Sequence, residues 1–185
     1  MEKKGYGNQV KQNLAHQQNT VKKFLKSINF SILFVVFLFF SVSFANDFDE
    51  GLEAIHGTDY EKALKILVPL AAKGHAPSQY NLGVMHEWGN GVPKDYVKAM
   101  KWYRLSAEGS QKDAQNNLGA MYSKGEGAEQ SFVDALKWFV ISAENGSEAG
   151  RKNIDIVEKR MSRQQITRAR KLAREWAKKH RKNGL

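Results

Sequence analysis

The segment KAMKWYRLSAEG, residues 98–109, returns 36 residues later as DALKWFVISAENG, residues 134–146. A phrase repeated at one interval constrains the fold strongly, because each copy must find the same surroundings. A step between about 20 and 50 residues marks stacked supersecondary units that bury their apolar faces on one another.

The same step aligns more of the chain. Asp59-Tyr60-Glu61-Lys62-Ala63-Leu64-Lys65 matches Asp95-Tyr96-Val97-Lys98-Ala99-Met100-Lys101, and Ser131 to Lys137 follows in register. Ahead of these, Gln79-Tyr80-Asn81-Leu82-Gly83 matches Gln115-Asn116-Asn117-Leu118-Gly119, and Gly89-Asn90-Gly91 matches Gly125-Glu126-Gly127. Ala149 to Ile154 enters the pattern a third time and then diverges.

Each unit reads as two helices. In the second, Ala99, Trp102, Tyr103 and Ser106 recur at i, i+3, i+4 and i+7, as do Ala135, Trp138, Phe139 and Ser142, so each set shares one face. Trp102 and Trp138 are expected in equivalent seats along one apolar seam. In the first helix, Gly83 and Gly119 sit mid-element, where glycine costs about 1 kcal/mol against alanine. The expected return is close approach of a large ring such as Trp102 or Trp138. Gly89 and Gly125 then end the first helices.

The pattern AxxQxxLGxxY/H, then GxG, KAxxWY/F and SAE, resembles Sel1-like repeats, a branch of the tetratricopeptide-like helical repeats, over about residues 47–180. The resemblance implies an all-α, right-handed α-solenoid of antiparallel helix pairs with a C-terminal capping helix. It divides the chain into a leader at 1–45, a degenerate hairpin at 46–75, repeats at 76–111 and 112–147, and a closing helix pair at 148–185. Ser162-Arg163-Gln164-Gln165 reads as a capping-box start for the last helix. Its stripe of Ile166, Ala169, Leu172, Ala173, Trp176 and Ala177 would seal the array.

Charge is segregated along the chain. Residues 1–45 carry six Lys and one Glu, residues 46–149 ten basic and fifteen acidic groups, and residues 150–185 thirteen basic and three acidic groups. The body is acidic and the two ends are basic. At the first end Lys22, Lys23 and Lys26 precede an apolar run from Ile32 to Phe40, and Ser43-Phe44-Ala45 has the form of a signal-peptidase site. The expectation is export from a bacterial cytoplasm and cleavage after Ala45, giving a periplasmic or secreted protein. The alternative is an inner-membrane anchor through residues 28–45. Translation starting at Val21 would give a leader of ordinary length. With no cysteine in the sequence, disulfides and thiolate metal sites are excluded.

The usual catalytic constellations are missing. His86-Glu87 begins an HExxH motif, but Asn90 stands where the second ligand belongs. His56 and His75 have no partner at metal-ligand spacing. Gly89-Asn90-Gly91 follows a helix and lacks the further glycine of a phosphate loop. Exported, cysteine-rich relatives have been described as β-lactamase-like, yet here no serine is followed three positions later by lysine. No catalytic residue, metal or cofactor is expected, and a cell-wall or β-lactam hydrolase is the weakest reading.

Two surfaces are candidates for binding. Tetratricopeptide-like arrays hold extended peptides along their first helices. Taking Leu82, Gly83 and His86 as the core direction, Asn81, Met85 and Trp88 turn away from it, with Asn117, Met121 and Lys124 and then Asn153, Val157 and Arg160 in the equivalent places. The three asparagines would clamp a peptide backbone; alternatively they are solvated or hold neighbouring helices together. The second surface is the basic face of the last helix, with Arg168, Arg170, Lys171, Arg174 and Lys178. It suits an anionic membrane surface or another polyanion, with nucleic acid disfavoured by export. The leading expectation is a non-catalytic protein- or peptide-binding scaffold, with an envelope or membrane-surface adaptor as the alternative.

Overall fold

The computed structural model describes residues 47–181, and all regular secondary structure among them is helical. The leader, its cleavage site, the 28–45 anchor and Val21 lie outside the described residues. Eight helical segments follow in order: α1 (residues 47–56), α2 (Tyr60–Ala72), α3 (Ala76–Trp88), α4 (Tyr96–Glu108), α5 (Lys112–Lys124), α6 (Phe132–Glu144), α7 (Glu148–Glu158) and α8 (Arg163–Arg181).

The second helices start on side-chain caps at one phase. Asp59 accepts from the Lys62 amide, Asp95 from the Lys98 amide, and Ser131 from the Asp134 amide at 3.2 Å. Each satisfies one of the free N–H groups of a first turn. The first helices α3 and α5 end on Gly89 and Gly125, at φ 78° and 75°, whose N–H groups return to the carbonyls of Met85 and Met121 at 2.9 Å. α8 opens on the expected capping box: Ser162 N–H donates to Gln165 Oε1 at 2.8 Å and Gln165 N–H to Ser162 Oγ at 3.2 Å.

Consecutive helices pack antiparallel from α2 to α7, so each first helix is held by its own partner and by the preceding hairpin. Leu82 and Met85 of α3 join Ala63, Leu67 and Ala71 of α2 in one core. One unit later, Leu118 and Met121 of α5 join Ala99, Tyr103 and Ala107 of α4 in the other. Polar staples repeat with the same step. Gln79 Nε2 donates to the Ala71 carbonyl at 3.0 Å and Gln115 Nε2 to that of Ala107 at 3.1 Å. Ser106 Oγ donates to the Ala76 carbonyl and Ser142 Oγ to that of Lys112, both at 2.7 Å.

The mid-helix glycines admit a ring, though not the expected indole. A Cβ placed on Gly83 would stand 2.5 Å from Tyr103 Cδ1, and one on Gly119 2.5 Å from Phe139 Cδ1. The ring one residue beyond each tryptophan fills the gap, about 100° further round the second helix. The tryptophans also differ in cover: Trp138 is buried, with Trp176 of α8 edge-on at 5.6 Å, whereas Trp102 is half-buried at the margin of the first core.

α1 is a shifted copy of the first helix. Only residues 57–59 separate it from α2, against seven residues, 89–95 and 125–131, in the next two turns. The shorter turn brings Gly51 to the place of Gly83, and a Cβ there would lie 2.9 Å from Leu67, the counterpart of Tyr103. Glu50 and Glu53 then occupy the positions of Leu82 and Met85 and are exposed.

The last unit departs from the pattern for the complementary reason. Where Gly119 and Phe139 meet, one step on stand Asp155 and Glu175. Without glycine and ring the close hairpin is lost, and α8 lays its apolar stripe on α6 instead of along α7. Ala169 and Ala173 are fully buried in that contact, and Ile166 and Trp176 are half-buried.

Candidate binding surface

The side of the first helices left to solvent is narrower than the sequence suggests. Met85 and Met121 are 1% exposed and Val157 is 2% exposed, so these three belong to the core and not to a groove. An inner helix of the array buries two directions, one on its own partner through Gly83 or Gly119 and one on the preceding hairpin through the methionine. A single core vector cannot describe it. One residue before each buried position, and 36 residues apart, stand Val84 and Ala120, both half-buried against the core that holds Leu118 and Met121, and Ile156, which is exposed. The recurrence of these three apolar residues was the available sign. Ile156 is 59% exposed, and Trp88, a turn beyond Val84, is 68% exposed.

The asparagines flank this row, half-buried, with partners inside the chain. Asn153 Nδ2 donates to Asn116 Oδ1 at 2.9 Å, linking α7 to α5. Asn117 lies beside the phenol oxygens of Tyr80 and Tyr103 and favours their ionised form. Asn81 Nδ2 donates within its own helix to the Pro77 carbonyl at 2.9 Å. Two of the three, Asn117 and Asn153, therefore face the preceding first helix, and Asn81 bonds within its own. Lys124 and Arg160 are exposed at the margin; Lys124 pairs with Glu126 at 3.5 Å, and the Arg160 guanidinium lies 5.8 Å from the centre of the Phe132 ring.

The sequence gives little warning of the cluster beside Asn117. Tyr103 donates its hydroxyl to Glu87 at 2.6 Å, and Tyr80 lies 5.8 Å away, ring to ring. Burial, and then the Glu87 carboxylate, push the Tyr103 phenol far above its usual range; burial raises Tyr80 too. A folded-state pKa above the unfolded value of about 10 gives stability that is complete below pH ~10 and lost above it, as only the unfolded chain releases the proton. Alkaline titration should therefore lower the unfolding free energy by up to about 1.4 kcal/mol per pH unit for Tyr103. In Tyr103→Phe that part of the slope disappears, while about 1–2 kcal/mol is lost at neutral pH with the bond to Glu87. Urea titrations of both forms at pH 8 and above pH 10 check this.

His86 is half-buried, its Nδ1 atom is enclosed without a hydrogen-bond partner, and burial lowers its pKa. Among the described residues no group of His, Asp and Glu is arranged to hold a metal ion, and no helix is long and apolar enough to cross a membrane. On α8, Arg168, Arg174 and Lys178 are exposed. Arg170 is committed to Glu158 of α7 through Nη2 at 2.6 Å and Nε at 3.2 Å, and Lys171 lies 3.9 Å from Glu175.

This architecture has known counterparts. The model of the Sel1 repeat family matches residues 76–110 and 112–147. A protective antigen present in uropathogenic Escherichia coli strains, which displays an SLR fold, superimposes with a TM-score of 0.70 at 30% identity, over 74% of this chain and 30% of that one. A Sel1 repeat protein from Oxalobacter formigenes superimposes with a TM-score of 0.57 at 27% identity, over 68% of this chain and 54% of that one. The chain thus spans less than a third of the first and about half of the second. No curated protein sequence matches it. Residues 76–110 and 112–147 are thus two Sel1 repeats, each with its glycine–ring contact, within a helical array that has the fold of these Sel1 repeat neighbours.

Proposed function

We propose that this protein is an exported, non-catalytic scaffold that binds a protein or peptide partner along the open side of its first helices. The observation that carries the reading is the exposure of Trp88 and Ile156 on the first helices, in register with the half-buried Val84 and Ala120. A solvent-facing tryptophan beside regularly spaced apolar residues is the kind of anchor on which interfaces concentrate their affinity. Sel1 repeats are in general protein-binding modules, which favours a scaffold over an enzyme. Export rests on the leader residues Lys22 to Ala45.

Trp88→Ala/Ile156→Ser should leave the helical signal intact, since neither side chain is in the core, and should weaken capture of an extracytoplasmic partner by about tenfold or more. Affinity purification from the periplasmic fraction, with Leu105→Ser as a control on a second helix, measures this. A partner held equally by all three proteins would place the binding surface elsewhere.

A further inference from the structure

We propose that the outward face of α8 docks on an anionic phospholipid bilayer, as a surface separate from the first-helix row. Three observations converge on it. The apolar stripe of α8 is already occupied, with Ala169 and Ala173 fully buried and Trp176 packed on Trp138, so what it shows to solvent is charge. On that face Arg163, Arg168, Arg174, Lys178 and Lys179 are exposed and have no acidic partner within salt-bridge distance among the described residues, Arg170 and Lys171 being the paired exceptions. The rest of the folded chain has the opposite sign: residues 47–162 carry fourteen basic against seventeen acidic groups. Such a molecule is attracted to an anionic sheet in one orientation only, with α8 towards it and the acidic units away.

A flat surface also suits the shape. The 19 residues of α8 form one uninterrupted helix, about 28 Å long at the α-helical rise, that can lie along a bilayer. Nucleic acid is less well matched, because Trp176 and His180 stack on each other at 3.9 Å and are half-buried, leaving no ring on the outward face for bases. With no apolar group to insert, the attachment is electrostatic, reversible and sensitive to salt.

The test is co-sedimentation of the full chain with phosphatidylglycerol-containing vesicles and with pure phosphatidylcholine vesicles. Each form is first checked for wild-type helicity. Binding to the anionic vesicles should exceed binding to the neutral ones by at least about tenfold at low salt, and the excess should vanish near 0.5 M salt. Arg168→Gln/Arg174→Gln/Lys178→Gln should lose most of that excess, and the charge-preserving Arg168→Lys/Arg174→Lys/Lys178→Arg should keep it. Because the leader is common to all three forms, the difference between them reports α8. Equal binding to both vesicle types, an unchanged glutamine variant, or charge-dependent binding to duplex DNA without vesicle binding would each overturn the proposal.

Discussion

Ala173→Glu should be among the most damaging single substitutions in this protein, lowering its stability by about 4 kcal/mol or more. Ala173 is fully buried where α8 meets α6, in the cluster that holds Trp138, Phe139 and Val140. A longer side chain there overpacks the contact, and its carboxylate is taken out of water among apolar side chains. The cheapest escape is to lift α8, which uncovers Trp138. Thermal unfolding should fall by on the order of 15 °C, and tryptophan emission should shift to the red before the transition. Lys178→Glu, one turn on and exposed, changes the same helix by the same residue type and should cost no more than about 0.5 kcal/mol. If the two variants behave alike, α8 is not seated as described.

The contrast between those two positions shows how much the sequence could tell. The ends of the first helices and the start of the last were legible because they depend on residues close together in the chain: Gly89, Gly125 and the Ser162–Gln165 box. The repeat register was legible because a period is a property of the sequence itself. The stripe of α8 was legible because that helix buries only one side.

Where a helix buries two sides, the wheel misled. α3 and α5 present Gly83 and Gly119 to their partners and Met85 and Met121 to the hairpin before, so the methionines assigned to a groove are core, and the large apolar groups left exposed on the first helices are Trp88 and Ile156. The ring against each glycine was misassigned by one residue, since tryptophan and the following Tyr103 or Phe139 both fall within the apolar arc. Only helix-to-helix distance decides between them. The polar staples of Gln115 and Ser142 were hidden because each joins residues brought together by packing.

The first and last units were obscured by opposite changes. A turn four residues shorter moved Gly51 out of the 36-residue register while keeping its contact with Leu67. In the last unit the register runs on, but Asp155 and Glu175 replace the glycine and the ring, so alignment persists where the close hairpin does not.

That glycine–ring contact is what closes the two helices of each unit on one another, and the Gly119–Phe139 double-mutant cycle tests it most directly. Alanine in place of Gly119 gains about 1 kcal/mol of helix propensity, but its Cβ would meet the Phe139 ring at 2.5 Å and the Ala135 carbonyl oxygen at 3.1 Å. Overpacking of this kind costs about 1–3 kcal/mol, so Gly119→Ala should be net destabilising. Phe139→Ala alone should cost about 3–5 kcal/mol. With the ring gone the alanine has room, and Gly119→Ala in that background should be neutral or stabilising, giving a coupling of about 2 kcal/mol by chemical denaturation. Additive effects within about 0.5 kcal/mol would mean that the two residues do not touch, and that the helix pair is closed in some other way.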